Sequence, residues 1–166
     1  MESKSKIVDF MINEHGEMFN TLVQFRFQIS HLHDNKIALE KFIKFKNKLT
    51  PHHDAEENLI FPKQKNPKYL RIIKVLKQQH KLIEAKVAEI ENILTKQEDV
   101  FDASAKLQEI LREHVKFEEK SFYPKLDNDL SEEQKNNLIQ SFSESIKPKK
   151  GFFEKISGLF QKSALE

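Results

Sequence analysis

The stretch HHDAEENLIFPK, residues 52–63, places two histidines and two glutamates close together, just before an apolar run and Phe61-Pro62. It returns as HVKFEEKSFYPK at residues 114–125. At an offset of 62 residues His52 matches His114, Glu56 matches Glu118, Glu57 matches Glu119, Phe61 matches Tyr123 and Pro62 matches Pro124. A side chain four positions on lies one turn further along the same helix face, so His52 converges with Glu56 and His114 with Glu118. The repeat reads as two helical hairpins related by a pseudo-twofold axis, each supplying half of one site.

The flanking apolar residues recur at helical spacing. A first stripe runs Ile7, Met11, Met18, Leu22, Phe25, Ile29, with His15 on it. A second runs Phe42, Phe45, Leu49 and leads to His52, Glu56 and Leu59; Pro62 ends it, since proline cannot donate the next backbone bond. Asn66-Pro67 opens a third helix whose stripe is Ile73, Leu76, His80, Ile83, Val87, Ile90, Leu94. The fourth runs Ala103, Leu107, Ile110, His114, Phe117/Glu118 and stops at Pro124. Pro51 either kinks the second helix just before His52 or begins a new helix capped by Thr50.

Each long helix thus carries a histidine on its buried stripe. Short connections between helices of similar length imply an all-α fold, an up-down-up-down antiparallel four-helix bundle over residues 1–130. Residues 131–166 follow as a second part. Ser131-Glu132-Glu133-Gln134 is a capping-box pattern for a short C-terminal helix, Lys147-Pro148-Lys149-Lys150-Gly151 reads as a linker, and FFEKISGLFQKSALE is an amphipathic tail.

Composition narrows the function classes. A third of the 166 residues are charged while only three are glycine and five proline, a balance that favours long helices. The net charge of +2 gives no electrostatic case for nucleic acid. With no cysteine, any metal must be held by nitrogen and oxygen. No apolar run reaches the roughly 20 residues of a membrane span, and MESKSKIVDF lacks the apolar region of a signal peptide. The expectation is a cytoplasmic protein. In the tail, Phe152, Phe153, Ile156, Leu159 and Phe160 recur at helical spacing, with Lys149, Lys150, Lys155 and Lys162 nearby. Residues 151–163 either lie on an anionic membrane surface, dock on a partner or pack on the protein itself.

Imidazole nitrogen and carboxylate oxygen suit iron, manganese or zinc, and carboxylates can bridge two ions. Buried carboxylates without a counter-charge cost about several kcal/mol each, so an inward Glu56 and Glu118 ask for cations. One inward histidine reads as a hydrogen-bonded core residue. Four on four stripes, two with i+4 glutamates in repeated segments, read as a metal site. Glu84, four residues after His80, points near the same face.

These residues resemble the hemerythrin-like, or HHE cation-binding, family over roughly residues 7 to 126. The resemblance rests on the two His-x-x-x-Glu-Glu segments ending in aromatic-Pro. It implies a four-helix bundle around a non-haem centre of two Fe ions, with Zn or Mn fitting the same donors. His15, His52, His80 and His114 would be terminal ligands, and Glu56 and Glu118 the bridges. Oxygen-carrying members have His-x-x-x-His on the third helix, whereas this chain reads His80-Lys81-Leu82-Ile83-Glu84. Glu84 is then either a ligand or a group that orients one, and the chain resembles the more reactive members.

His53 and Glu57 offer the same spacing as His52 and Glu56. The stripe through Leu49 and the match to His114 and Glu118 favour the latter pair, leaving His53, Glu57 and Glu119 as a flank or as supports. The functional expectation is a di-iron protein that binds, senses or reacts with a small diatomic or peroxide ligand such as oxygen, nitric oxide or hydrogen peroxide. Catalase-like turnover falls within that site. The alternative is a non-catalytic iron-responsive or structural metal-binding module.

Overall fold

The computed structural model describes residues 6–31 and 34–147. Among them every regular element is helical. Four long helices are α1 (Lys6–His31), α2 (Asn35–Ala55), α3 (Pro67–Thr95) and α4 (Phe101–Phe117), followed by the shorter α5 (Tyr123–Asp129) and α6 (Glu132–Ser145). α1 packs on α2 and α4, and α3 packs on α4 and α2, which closes a four-helix arrangement.

Local chemistry sets the helix ends. Asp34 accepts from the Ile37 backbone N–H at 3.0 Å and starts α2. Asn66 does the same for Lys68 at 3.0 Å, with Pro67 in the first turn of α3, as the sequence indicates. Ser131 and Gln134 form the expected capping box of α6. Asp127, far along the chain on α5, accepts from the Ile7 N–H at 2.8 Å and serves a backbone donor in the first turn of α1 that has no partner within the helix.

α3 ends in a Schellman turn: the Glu98 N–H reaches Ile93 O and the Gln97 N–H reaches Leu94 O, each at 3.1 Å. The left-handed position of that turn holds Gln97, at φ 59°. A side chain there costs on the order of 1 kcal/mol that glycine does not incur. Gln97→Gly is therefore expected to stabilise the protein by about 0.5–1 kcal/mol, read as a shift in the denaturant midpoint.

Two proline readings change. α2 runs unbroken through Pro51, so no new helix begins at Thr50; Leu49, His52, His53 and Ala55 are all buried on either side and hold the helix through the missing bond. Pro62 does end its helix, in a 3-10 turn at Phe61–Lys63. Pro124, by contrast, does not stop the chain's helical course, because it falls in the first turn of α5, where no intrahelical N–H is needed.

The reason is a feature the periodicity does not reveal. A single π-turn, Glu56–Ile60, follows α2, and a second, Glu118–Phe122, joins α4 to α5. In each the backbone bond spans five residues, from the Phe61 N–H to Glu56 O and from the Tyr123 N–H to Glu118 O. The repeat in the sequence is thus a repeat of backbone geometry, and π-turns of this kind cluster at functional sites.

Packing divides the interior into two apolar cores. One joins Met18, Leu22 and Phe25 of α1 to Phe42, Phe45 and Leu49 of α2, Ile83 to Leu94 of α3, and Leu107 to Val115 of α4. The other gathers Ile7, Met11, Ile60, Phe61, Tyr69, Ile73, Leu76, Phe122, Tyr123, Leu126 and Phe142. Burying each large side chain contributes roughly 1.5–3 kcal/mol. α6 closes the second core from outside, with Phe142 edge-on to Phe10 at 5.7 Å and to His52 at 5.4 Å.

No helix among the described residues is long and apolar enough to cross a membrane. The amphipathic stretch at 151–163 and His33 lie outside the described residues. His31 is exposed in the last turn of α1, stacked on Phe27 at 4.4 Å.

Candidate metal centre

Between the two cores lies a polar layer, to which each long helix contributes one turn. It holds His15 from α1, His52, His53 and Glu56 from α2 and its π-turn, His80 from α3, and His114 and Glu118 from α4 and its π-turn. All seven are buried, and His80, Glu56 and Glu118 are 0% exposed.

Their donor atoms form two groups that share Glu56. His15, His52, Glu56 and Glu118 converge in one; His53, Glu56, His80 and His114 converge in the other. In each group one donor atom per residue lies within 4.8 Å of the rest. Within the groups His15 Nε2 is 3.4 Å from Glu118 Oε2, His52 Nε2 is 3.5 Å from Glu56 Oε1 and His80 Nε2 is 3.2 Å from Glu56 Oε2, and Glu118 also reaches across, its Oε1 3.4 Å from His114 Nε2. Donors bound at about 2.1 Å to one ion lie roughly 3–3.5 Å from each other, so these separations suit a shared cation.

The backs of the rings are held. The Nδ1–H of His15 donates to Glu119 at 2.8 Å, that of His80 to Glu57 at 2.9 Å, and that of His114 to Gln79 Oε1 at 3.0 Å. Each bond fixes the tautomer that leaves the Nε2 lone pair facing inward. The symmetry crosses the layer: Glu57, on the α2 side, serves α3, and Glu119, on the α4 side, serves α1.

At the front the donors lack partners. His15, His52, His80 and His114 Nε2, both nitrogens of His53, Glu56 Oε2 and both oxygens of Glu118 make no hydrogen bond. Among buried side-chain atoms of the described residues only Gln28 Nε2 shares that condition. Unpartnered buried polar atoms are costly and rare, and here they point at one another. The residues fit a cation site.

One asymmetry separates the two inward glutamates. The Tyr123 hydroxyl donates to Glu56 Oε1, whereas its repeat counterpart Phe61 has no hydroxyl for Glu118 and stacks near His80 at 5.8 Å instead. Glu118 is accordingly pushed well above the usual carboxylate range by burial and by the neighbouring Glu56 charge. Burial acts the same way on Glu56, but the His52 and His80 rings outweigh it and hold Glu56 well below that range.

The histidines split as well. Burial lowers His114 to about 3 and His53 well below its ordinary value, and the His80 charge adds to both. Burial also opposes a charged His80, yet Glu56, Glu118 and Glu57 outweigh it and raise His80 to about 9. Its stabilising contribution is complete below pH 6.5 and is lost as pH rises through 9. His53 and His114 stay neutral when the unfolded chain protonates, so stability is also lost as pH falls below 6.5. These histidines place the stability maximum of the metal-free protein near pH 6.5. A flat melting temperature from pH 4 to pH 9 (about the span of these shifts) would contradict this.

Of the residues expected from the sequence, His15, His52, Glu56, His80, His114 and Glu118 come together in this layer. Glu84 does not. It is exposed on α3 at the height of the first core, one turn beyond His80, where Ile83 and Val87 take the inward positions. His53, read as a flank, is 3% exposed and faces inward beside His52. Gln79 and Tyr123 were not singled out as supports. Their signals were adjacency to His80 and the aromatic-Pro match, neither of which specifies a hydrogen bond.

No curated protein and no solved structure matches the chain. Residues 6–126 match the family model described as Hemerythrin HHE cation binding domain, and the matched span contains the whole polar layer while leaving α6 outside. A match of that extent, over a helical fold with clustered His and Glu donors, makes the chain a member of the hemerythrin HHE cation-binding family.

Proposed function

We propose that the polar layer holds two iron ions side by side and that the pair binds or reacts with a small ligand such as oxygen, nitric oxide or hydrogen peroxide. The observation that carries this reading is the convergence of unpartnered donors in two groups. His15, His52, Glu56 and Glu118 hold one ion; His53, Glu56, His80 and His114 hold the other. Iron bound there supplies redox and Lewis-acid chemistry. The chain's own part is to fix the ring tautomers from behind through Glu57, Glu119 and Gln79, and to exclude bulk water by burial. Tyr123 holds one oxygen of Glu56 and keeps that carboxylate in place between the two groups.

The up-down-up-down course is part of the same proposal. It is supported by the order in which the helices meet the cores: α1 and α3 run from the second core to the first, α2 and α4 from the first to the second.

A second reading is an iron-responsive module, favoured by Phe142 of α6 resting on His52. Loss of the ion held by His52 would then loosen α6. Anaerobic loading with ferrous iron, followed by metal analysis and by peroxide or nitric oxide addition, separates the readings. Two irons per chain and a ligand-dependent visible spectrum are expected. Zinc retained in preference to iron, with no spectral response, would leave only a structural role.

A further inference from the structure

The family match ends at residue 126, and α6 begins at Glu132. Yet α6 sends one side chain to the polar layer: the Phe142 ring stands edge-on to His52, centroids 5.4 Å apart and 78° from parallel. We propose that Phe142 is a positioning residue of the metal centre, aiming the His52 ring and so setting the affinity of the ion position at His15 and His52 while leaving the other position untouched. The inference rests on the reading of the layer as a two-ion site.

Three observations converge. First, the rings of the layer are held in different ways. Those of His15, His80 and His114 are each tied from behind by a hydrogen bond. His53 has no such bond but lies face to face with His80, centroids 3.9 Å apart and 9° from parallel. His52 has neither kind of hold, and its Nε2 is without a hydrogen bond. Its neighbours inside the layer, His15 and His53, meet it at an angle, with centroids 5.0 and 6.1 Å away. The outer torsion of a histidine is broad, so packing must choose where such a ring points. Phe142 supplies that packing from outside the layer.

Second, the two positions differ in what they can lose. The position with His52 draws on two rings, the other on three, and Glu118 Oε1 also comes within 3.4 Å of His114 Nε2. A position with two rings gives up the larger share of its donors when one turns away.

Third, α6 is fixed in place by bonds that do not involve the layer. The buried Lys135 pairs with Asp127 at 3.3 Å and with Glu132 at 3.0 Å, and Lys6 pairs with Glu132 at 2.8 Å. Asp127 also accepts from the Ile7 N–H, so the first turn of α6 is tied to both α5 and α1. Phe142 comes two helical turns after Lys135, 1% exposed and edge-on to Phe10 as well. The helix therefore bears on His52 from a base of its own.

The test uses the full chain, loaded anaerobically with ferrous iron. In a His53→Ala background, which keeps the His15 and His52 position, Phe142→Ala is expected to weaken iron binding by about tenfold. In a His15→Ala background, which keeps the other position, the same change should leave the affinity as it was. Phe142→Leu refills the core and is expected to recover the melting temperature but not the affinity. Leu138→Ala, one turn earlier in the same core, is expected to lower the melting temperature and leave both affinities alone. Coupling is reciprocal, so iron should slow amide exchange around Phe142 in the parent and not in His15→Ala.

If the parent binds no iron, the two-ion reading and the role of Phe142 fall together. If iron is bound and Phe142→Ala weakens neither position, or both equally, the role of Phe142 alone is overturned. A loss of affinity in Leu138→Ala as large as that in Phe142→Ala overturns it too. Should Phe142→Ala fail to fold or a background fail to bind iron, amide exchange decides: slowing by iron in the parent supports the inference, and equal exchange with and without iron, or the same slowing in His15→Ala, overturns it.

Discussion

Glu56→Ala is expected to empty both metal positions, whereas His15→Ala and His53→Ala should each empty one. Glu56 is the residue common to the two donor groups, and it stands on the π-turn that starts where α2 ends. Its loss removes a donor from each group and leaves the Tyr123 hydroxyl without its acceptor. Truncating His15 touches only the group with His52 and Glu118; truncating His53 touches only the group with His80 and His114. Metal per chain, measured by elemental analysis after anaerobic reconstitution, should therefore fall from two to near zero for Glu56→Ala and to about one for either histidine variant. Equal losses in all three would mean that the layer behaves as a single site. No loss in Glu56→Ala would remove the basis for a shared carboxylate.

Metal removal is expected to cost the protein more stability than truncating any one core side chain. Ions bound at free concentrations a thousandfold above their dissociation constants each stabilise the folded state by about 4 kcal/mol. Without them the layer keeps the buried Glu118 with both oxygens unpartnered, alongside the unpartnered ring nitrogens. Replacing that carboxylate by a flexible apolar side chain should therefore act in opposite directions in the two states. Glu118→Met is expected to raise the stability of the metal-free protein by about 1–3 kcal/mol and to abolish most of the metal-dependent increment. Chemical denaturation with and without chelator checks both signs. A variant less stable than the parent in chelator would show that Glu118 has a role in the fold beyond holding a cation.

The helical stripes and the inward histidines were legible because amphipathic packing leaves a 3.6-residue signature, and the two cores follow it closely from Ile7 to Leu94. The repeat at 52–63 and 114–125 showed where the stripes turn polar. The choice between His52 and His53 was posed wrongly by that same periodicity. A stripe assigns one inward direction per turn, yet a layer with two donor groups is reached from one helix over a wider arc. Adjacent residues diverge by about 100°, so His52 serves one group and His53 the other. Glu84 failed for the complementary reason: it has the i+4 spacing, but the next layer of α3 belongs to the apolar core. The roles of Glu57, Glu119 and Gln79 depend on which neighbouring helix each meets, information that exists only after packing.

The two π-turns make the centre depend on residue count as well as residue type. Each turn contains one residue more than a regular helix would need to cover the same length, and that surplus starts at Glu56 and at Glu118. Deleting one residue between 57 and 60 would leave an intact helix of good composition, yet Phe61 and Pro62 would swing by about 100° relative to the histidines. An alignment that closes a single-residue gap in either segment would therefore score such a sequence as a relative with every ligand type present, while the aromatic residue after the turn no longer meets its partner in the layer, Phe61 against His80 or Tyr123 on Glu56.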